Sequence, residues 1–589
     1  MQNPINFYIS EKDRFTKNAK VLKNKLSKSS LLRLVVFIIT IFALYYFYGN
    51  LKLVLTTSFI GLILFIYLIV KHGDLSYQQK KTKELININQ KEINVLNGDY
   101  KNYDSGDEFI DDNHYFSFDI DLFGKGSFFQ YLNRTTTKSG KQKLANLLTE
   151  NSIEEIEEKQ KALDELSKKP QWRQNFSATA NLITVDTNSK TIVKWITNYN
   201  PFVPNFFSFL PILFVIISIV LSSLFFLNII PFSIIFIWFI IGLTITFYFI
   251  KKIGVLYQNA NNAKSNFKQY HKLLDLIENE IFISSTLKFK QNEIKTENTK
   301  ASLIFKDFSK ILDAFDQRNN MIFGVLGNGF FLWDLQQSYK IEQWIKNYQN
   351  KVENWFEIIS YFDSQNTLAN YLFNHPSHVF PVINKNNFVI ESKNLGHPLI
   401  QNDQRIDNDF EINNKEFFII TGANMAGKST FLRTVSLSII MANIGLPVCA
   451  DKYEYVPIKL ITSMRTSDSL SEDESYFFSE LKRLKFIVEE IKTDQYFIVL
   501  DEILKGTNST DKAIGSKKFV EKLVNSGSTG IIATHDLSLC EIEKDYPQIQ
   551  NKYFDAEILN NELNFDYKLK KGICKNMNAS FLLKKMEIV

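Results

Sequence analysis

Cysteine is nearly absent from this chain: three residues in 589, Cys449, Cys540 and Cys574, spaced far apart. No pair sits at metal-binding spacing and no disulfide framework can form, which suggests a reducing compartment. An excess of one charge sign is missing too. Lys and Arg number 68 against 63 Asp and Glu, a net charge of +5, so the balance permits a nucleic-acid partner without indicating one. No dense Lys/Arg stripe with interleaved aromatics is present. Gly and Pro are sparse from 253 to 375, leaving few helix breaks, so Ala260–Ile281, Leu303–Phe315 and Ile341–Tyr361 read as long helices. No internal repeat stands out.

Long apolar runs, by contrast, are plentiful. After a basic leader with Lys12, Arg14, Lys17, Lys20, Lys23, Lys25 and Lys28 come Leu34–Tyr48 and Leu53–Val70, each near bilayer-spanning length. Phe206–Leu227 and Phe232–Ile250 repeat the pattern without a charge. The two pairs read as transmembrane hairpins, four spans in all. A cleaved signal peptide fits poorly with the long leader and the second run; a buried soluble hairpin is the other alternative. Basic residues flank the outer ends, with Lys190, Lys194, Lys251 and Lys252 around the second pair, and the first turn holds only Lys52. The positive-inside rule then places the turns outside and the large soluble parts in the cytoplasm. The spans lack Asp, Glu and Lys, with Arg33 only at an edge, which favours anchoring over transport.

Five segments follow: leader and first hairpin (1–75), a helical segment (76–200), the second hairpin (201–252), further helices (253–385) and an α/β domain (386–589). Within 76–200, the cluster Thr135-Thr136-Thr137-Lys138-Ser139-Gly140 reads as a cap or turn. Glu154–Lys169 reads as an amphipathic helix with a solvated charged face. From about Val379, short β-type runs alternate with helical segments: Phe388–Ile390, Glu416–Ile420, Gln495–Leu500 and Gly530–Ala533. The alternation predicts a largely parallel sheet.

The chemistry lies in that last domain. The run Phe417–Ile420 leads into Thr421-Gly422-Ala423-Asn424-Met425-Ala426-Gly427-Lys428-Ser429-Thr430, and a helical pattern follows. Strand, Gly-x4-Gly-Lys-Ser and helix form a phosphate-cradling P-loop. Its backbone N–H groups and the helix N-terminus face the phosphates. Lys428 reaches the β- and γ-phosphates and Ser429 ligates Mg²⁺. Tyr496–Leu500 ends in Asp501-Glu502. Asp501 would hold Mg²⁺ through water and Glu502 would orient or deprotonate the attacking water. His535, at the end of another strand, can donate to a γ-phosphate.

These residues also resemble a family. Thr421–Thr430, with Asn424-Met425 inside the loop, looks like the P-loop of the MutS family of DNA mismatch repair ATPases. Asp501-Glu502-Ile503-Leu504-Lys505-Gly506-Thr507, Ala533-Thr534-His535 and Asn394–Pro398 resemble further family segments, the last implying that His397 lies near the adenine. Ser475-Tyr476-Phe477-Phe478-Ser479-Glu480 resembles the signature whose serine acts in trans, so Ser475 would contact the γ-phosphate of a partner subunit, implying a homodimer. Asp121–Gly124 and Thr135–Gly140 resemble the start of the family's helical core; Trp355–Pro376, with Phe362-Asp363-Ser364, resembles its end. The resemblance thus implies ATP, Mg²⁺, ATP hydrolysis, a dimeric clamp cycle and an all-α core and lever before the P-loop domain. Where the family's mismatch-reading domain would stand, this chain has its leader and first hairpin, and no Phe-x-Glu wedge is found. The tail differs too, at Cys574–Ser580. ATP binding and dimerisation carry over; mismatch reading does not, and DNA is kept as a candidate partner. A membrane transporter of the wider ABC class is the alternative, although Leu470-Ser471-Glu472-Asp473-Glu474 does not match the Leu-Ser-Gly-Gly-Gln signature. A scaffold that holds ATP without hydrolysing it is the third reading, and Glu502 and His535 stand against it.

Overall fold

The basic leader is not a separate tail. In the computed structural model, which describes residues 3–183, 187–296, 299–384, 388–465, 476–505, 507–559 and 562–574, leader and first apolar run form one helix, α1 (Pro4–Tyr46), started by Asn3 and Pro4. The second run opens α2 (Leu51–Leu96), capped by the Asn50 side chain on the Leu53 N–H. Tyr8 anchors the free end of α1: it is buried, and its hydroxyl donates to Asn374 Oδ1 at 2.7 Å. Most of the apolar residues that α1 and α2 expose sit along the stretches read as spans, among them Phe42, Phe59 and Ile63.

The second pair departs from the expected two full spans. After α3 (Lys138–Thr149) and α4 (Pro170–Asn181), a short 3-10 turn over Asn205–Ser208 and Pro211 in the first helical turn delay the apolar helix to α5 (Leu210–Phe226), 17 residues. At 1.5 Å per residue this reaches about 26 Å, less than the ~30 Å of a bilayer core. Its partner α6 (Phe232–Tyr248) meets α7 (Ile250–Asn279) at a 66° bend. By length and composition two described helices, α1 and α2, are able to cross a membrane, or three if the bent pair is counted as one. Four spans are therefore not what the structure displays.

A third apolar helix joins α5 and α6. Beyond α8 (Ala301–Asp316) lies α9 (Met321–Phe331), whose three glycines in eleven residues weaken the helical signal. Two of the small residues make the packing possible: a Cβ at Gly242 would lie 2.3 Å from the Gly329 carbonyl oxygen, and one at Gly329 would lie 2.1 Å from the Phe239 ring. Ser218 Oγ donates to the Phe330 carbonyl at 2.7 Å and accepts from Trp238 Nε1 at 2.9 Å, which knits the three helices together. Outward, α9 exposes Met321 and Ile322.

From this cluster a single helix, α10 (Trp333–Asn374), runs 42 residues, about 63 Å, to the α/β domain. It carries Asp363, fully buried, which accepts the N–H of Thr137 at 2.8 Å, its hydroxyl at 2.7 Å, and both the N–H and hydroxyl of Thr136 at 3.0 Å. Burial pushes the Asp363 carboxyl above its ordinary range despite these bonds. Thr137 in turn caps α3 by accepting from the Gly140 N–H. Two motifs some 220 residues apart in sequence thus close on one another.

Just past α10, His375 and His378 stack with ring centroids 4.7 Å apart. His375 lies 2.8 Å from the Tyr131 hydroxyl and His378 3.1 Å from that of Tyr371. Burial lowers their pKa values from 6.5 to about 4 and about 2 respectively. Both rings are neutral in the fold, whereas in the unfolded chain they take up protons below about 6.5. The fold keeps its full stability from these rings above that pH and loses it as the pH falls, by roughly 2 kcal/mol per ring near pH 5. Thermal unfolding between pH 7.5 and 5 should show this slope. The double replacement His375→Gln, His378→Gln should flatten it, and an unchanged slope would remove the rings as its source.

The C-terminal domain is built on a six-stranded sheet: β1 (Phe417–Gly422), β2 (Lys459–Ser463), β3 (Tyr496–Asp501), β4 (Thr529–Ala533), β5 (Ile549–Phe554) and β6 (Leu569–Lys571). The spatial order is β6-β5-β1-β4-β3-β2, parallel throughout except for β6. Its apolar strands β1, β3 and β4 are central and buried on both faces, as continuous rather than alternating apolar runs require. A second, four-stranded sheet holds Phe388–Leu395 between Lys452–Tyr455 and Asn408–Asn413. The sheets fit the expected mixed α/β domain behind a helical region.

Candidate nucleotide site

The loop after β1 and the ends of β3 and β4 converge on a cavity of about 600 Å³. Parallel strands deliver side chains at their carboxyl ends, so three segments far apart in sequence meet there. The loop turns through left-handed backbone at Met425 (φ 68°) and Gly427 (φ 100°) before α11 (Lys428–Asn443) begins. Gly422 is where side chains are excluded: a Cβ would lie 2.7 Å from the Phe554 carbonyl oxygen.

Lys428 is folded back into its own loop. Its Nζ donates to the carbonyls of Gly422 (2.7 Å) and Ala423 (3.0 Å) and lies 3.2 Å from His535 Nε2. Burial lowers its pKa, opposed by the charges of Asp501 and Glu502. Ser429 Oγ donates to Asp501 Oδ2 at 2.6 Å. Burial raises the Asp501 carboxyl. This hydroxyl and carboxylate are hard oxygen donors, side by side at the helix N-terminus, and they suit Mg²⁺ with waters completing its shell.

Glu502 stands one residue further, in left-handed backbone (φ 50°), held by its N–H on the Ala533 carbonyl at 2.9 Å. Its Oε1 is 2.9 Å from His535 Nε2, and that hydrogen bond is the main cause of a pKa near 2. Glu502 is thus an ionised carboxylate at the cavity edge. The distorted backbone is over-determined by neighbouring bonds, as at sites where geometry serves chemistry. Glu480, on α12 (Tyr476–Glu490), accepts the Lys505 N–H at 3.0 Å and also that of Leu504, so it braces the chain just beyond Glu502. The isolated sequence does not reveal that role, since it depends on α12, packed on β2, meeting the segment that follows β3.

Asn424, Thr430 and His397 also line the cavity; Ala426 is buried within the loop. Burial and the charges of Arg433 and Arg405 lower the pKa of His397 to about 4. Phe431, Phe554 and Tyr567 line the same cavity with Arg405 and Ile406. These five show no shared sequence signal, because they come from four separate segments: Arg405-Ile406, Phe431, Phe554 and Tyr567. Ser475 and Gly506 lie outside the described residues. Asp121 docks the helical region on this domain: its carboxylate accepts from Arg465 Nη2 at 2.8 Å and lies 3.4 Å from Arg433 Nε.

Residues 418–585 match MutS domain V. The P-loop domain of this chain is thus of the MutS family. It is 33% identical over 189 residues to the DNA mismatch repair protein MutS of Thermotoga sp. (strain RQ2), covering 31% of this chain and 24% of that protein. It is also 33% identical over 180 residues to MutS protein homolog 4 of Homo sapiens, covering 29% of this chain and 19% of that protein. A MutS of Thermotoga neapolitana is 32% identical over 182 residues. The chain spans about a quarter or less of the length of these MutS relatives, and the matched part contains the P-loop, Asp501, Glu502 and His535.

Proposed function

We propose that this MutS-family chain is a membrane-attached ATPase that works as a dimer and couples ATP binding and hydrolysis to a clamp-like movement on DNA. The observation that carries the reading is the convergence of Lys428, Ser429, Asp501, Glu502 and His535 on one cavity at the carboxyl edge of a parallel sheet. ATP would place its phosphates over the N-terminus of α11, with Lys428 turning from the loop carbonyls to the phosphoryl oxygens. Ser429 and Asp501 would hold Mg²⁺, which neutralises phosphate charge when bound. Glu502, already ionised, would orient and deprotonate the attacking water, and His535 would sense the γ-phosphate while positioning Glu502. Ser475 would complete the site from the partner subunit.

The output runs along α10, which leads into the α/β domain and packs against the apolar helices α5 and α9, the latter packed in turn on α6. Those helices and the exposed apolar faces of α1 and α2 support membrane attachment, with the ATPase domain in the cytoplasm. The MutS and MutS-homolog relatives support DNA as the working partner.

Purified full-length protein in detergent or nanodiscs should hydrolyse ATP. It should also retain a DNA duplex in a salt-sensitive, ATP-dependent manner, with equal affinity for matched and mismatched duplexes. Hydrolysis at background rate would end the ATPase reading. Hydrolysis without any duplex retention at low salt would end the DNA part alone.

A further inference from the structure

A second, polar cavity of about 190 Å³ lies where α2, α4 and α10 meet the segment before α3. Its walls carry three cations, Lys91, Arg134 and Arg173, and one carboxylate, Glu92. Glu92 is already engaged, accepting from Arg134 Nε at 2.6 Å and Asn374 Nδ2 at 3.0 Å. Arg173 is 4% exposed. Its Nε donates to the Leu166 carbonyl at 3.0 Å and its Nη1 to Asn370 Oδ1 at 2.8 Å, while Nη2 has no hydrogen-bond partner. Asn366, on α10 and 5% exposed, has both amide atoms without a partner. Lys91 makes no ion pair among the described residues; burial and the Arg134 charge lower its pKa to about 8.

Arg173 shares the charge of Glu92 with Arg134, which takes the direct ion pair, and a buried guanidinium so incompletely balanced is costly. Water can fill a polar cavity and take up hydrogen bonds, but it brings no negative charge to balance the excess of cations. We propose that this cavity binds a small phosphate-type oxyanion, with Arg173 Nη2 and the Asn366 amide as donors and Lys91 and Arg134 as flanking charges. The anion would tie α2, which leads in from the first hairpin, to α10, which leads to the nucleotide site. Both a free anion and a lipid headgroup offer this chemistry. The position favours the free anion: Lys91 lies about 30 Å along α2 from Val70, where the apolar run ends.

The test is thermal unfolding of the full chain in micelles and phosphate-free buffer, with the nucleotide site kept saturated by ADP and Mg²⁺. Inorganic phosphate is titrated against chloride at equal ionic strength. The expected result is a saturable rise in melting temperature with phosphate and none with chloride. Asn366→Asp places a carboxylate in the wall shared with Arg173. This variant should be more stable than the parent without phosphate and should respond to phosphate roughly tenfold more weakly or less. Arg173→Gln, where it folds, should lose the response. Equal phosphate responses in the parent and Asn366→Asp, or no response beyond that of chloride, would overturn the proposal. So would a response confined to phosphatidic acid in mixed micelles or to a short DNA duplex.

Discussion

Lys428→Ala should lose ATP binding, and with it hydrolysis. The side chain makes charge-assisted hydrogen bonds now directed at Gly422 and Ala423 and, with nucleotide, at phosphoryl oxygens. Losing two such bonds costs about 3 kcal/mol or more, roughly a hundredfold in Kd. The substitution also removes the Lys428 hydrogen bonds to the carbonyls of Gly422 and Ala423, leaving the latter only the Ala426 N–H at 3.3 Å, so the empty loop loses order as well as charge. Titration of a fluorescent ATP analogue measures the first effect directly. Hydrolysis at the parent rate in Lys428→Ala would sink the assignment of this loop.

Glu502→Gln should separate binding from chemistry. The amide keeps the size of the carboxylate and its place beside His535, but it cannot accept a proton from water. General-base loss of this kind costs about 10²- to 10⁴-fold in rate. ATP affinity should stay within a few-fold, since Glu502 stands at the cavity edge and the phosphate-binding groups are on the loop. Single-turnover hydrolysis together with equilibrium binding distinguishes the outcomes. A variant that hydrolyses near the parent rate would move the base elsewhere. One that loses binding too would make Glu502 a structural support for the loop.

The two substitutions probe residues of unequal legibility. Lys428 could be named from the chain alone because a P-loop is local: ten consecutive residues fold against their own strand and helix. Glu502 needed its neighbours. Asp-Glu after an apolar strand is a common pattern, and its meaning rests on His535, 33 positions later, arriving 2.9 Å away just past the end of the adjacent parallel strand.

In the helical region the periodicity of 253–375 reveals helices but not their extent. Ile341–Tyr361 is the middle of a helix of 42 residues, because its ends are apolar or polar without a change of period. The apolar runs were legible as runs. Whether each reaches across a bilayer depended on where a helix begins, and the 3-10 turn Asn205–Ser208 followed by Pro211 decides that for α5. The Asp121 motif carried a family likeness without a reason; the reason is its contact with Arg465 and Arg433.

The sequence by itself determined the phosphate-binding loop, the carboxylates after the strand, the parallel α/β character of the C-terminal domain and the four apolar runs. Each is written in contiguous residues whose local spacing sets the backbone. Only the tertiary structure decided what depends on separate segments meeting. It closed Asp363 on Thr136 and Thr137, set Glu480 behind Glu502, seated Tyr8 of the leader against Asn374, and left Arg173 beside a polar cavity. Such contacts arise from packing between separate elements, from about two dozen to several hundred residues apart, and local spacing carries no record of them.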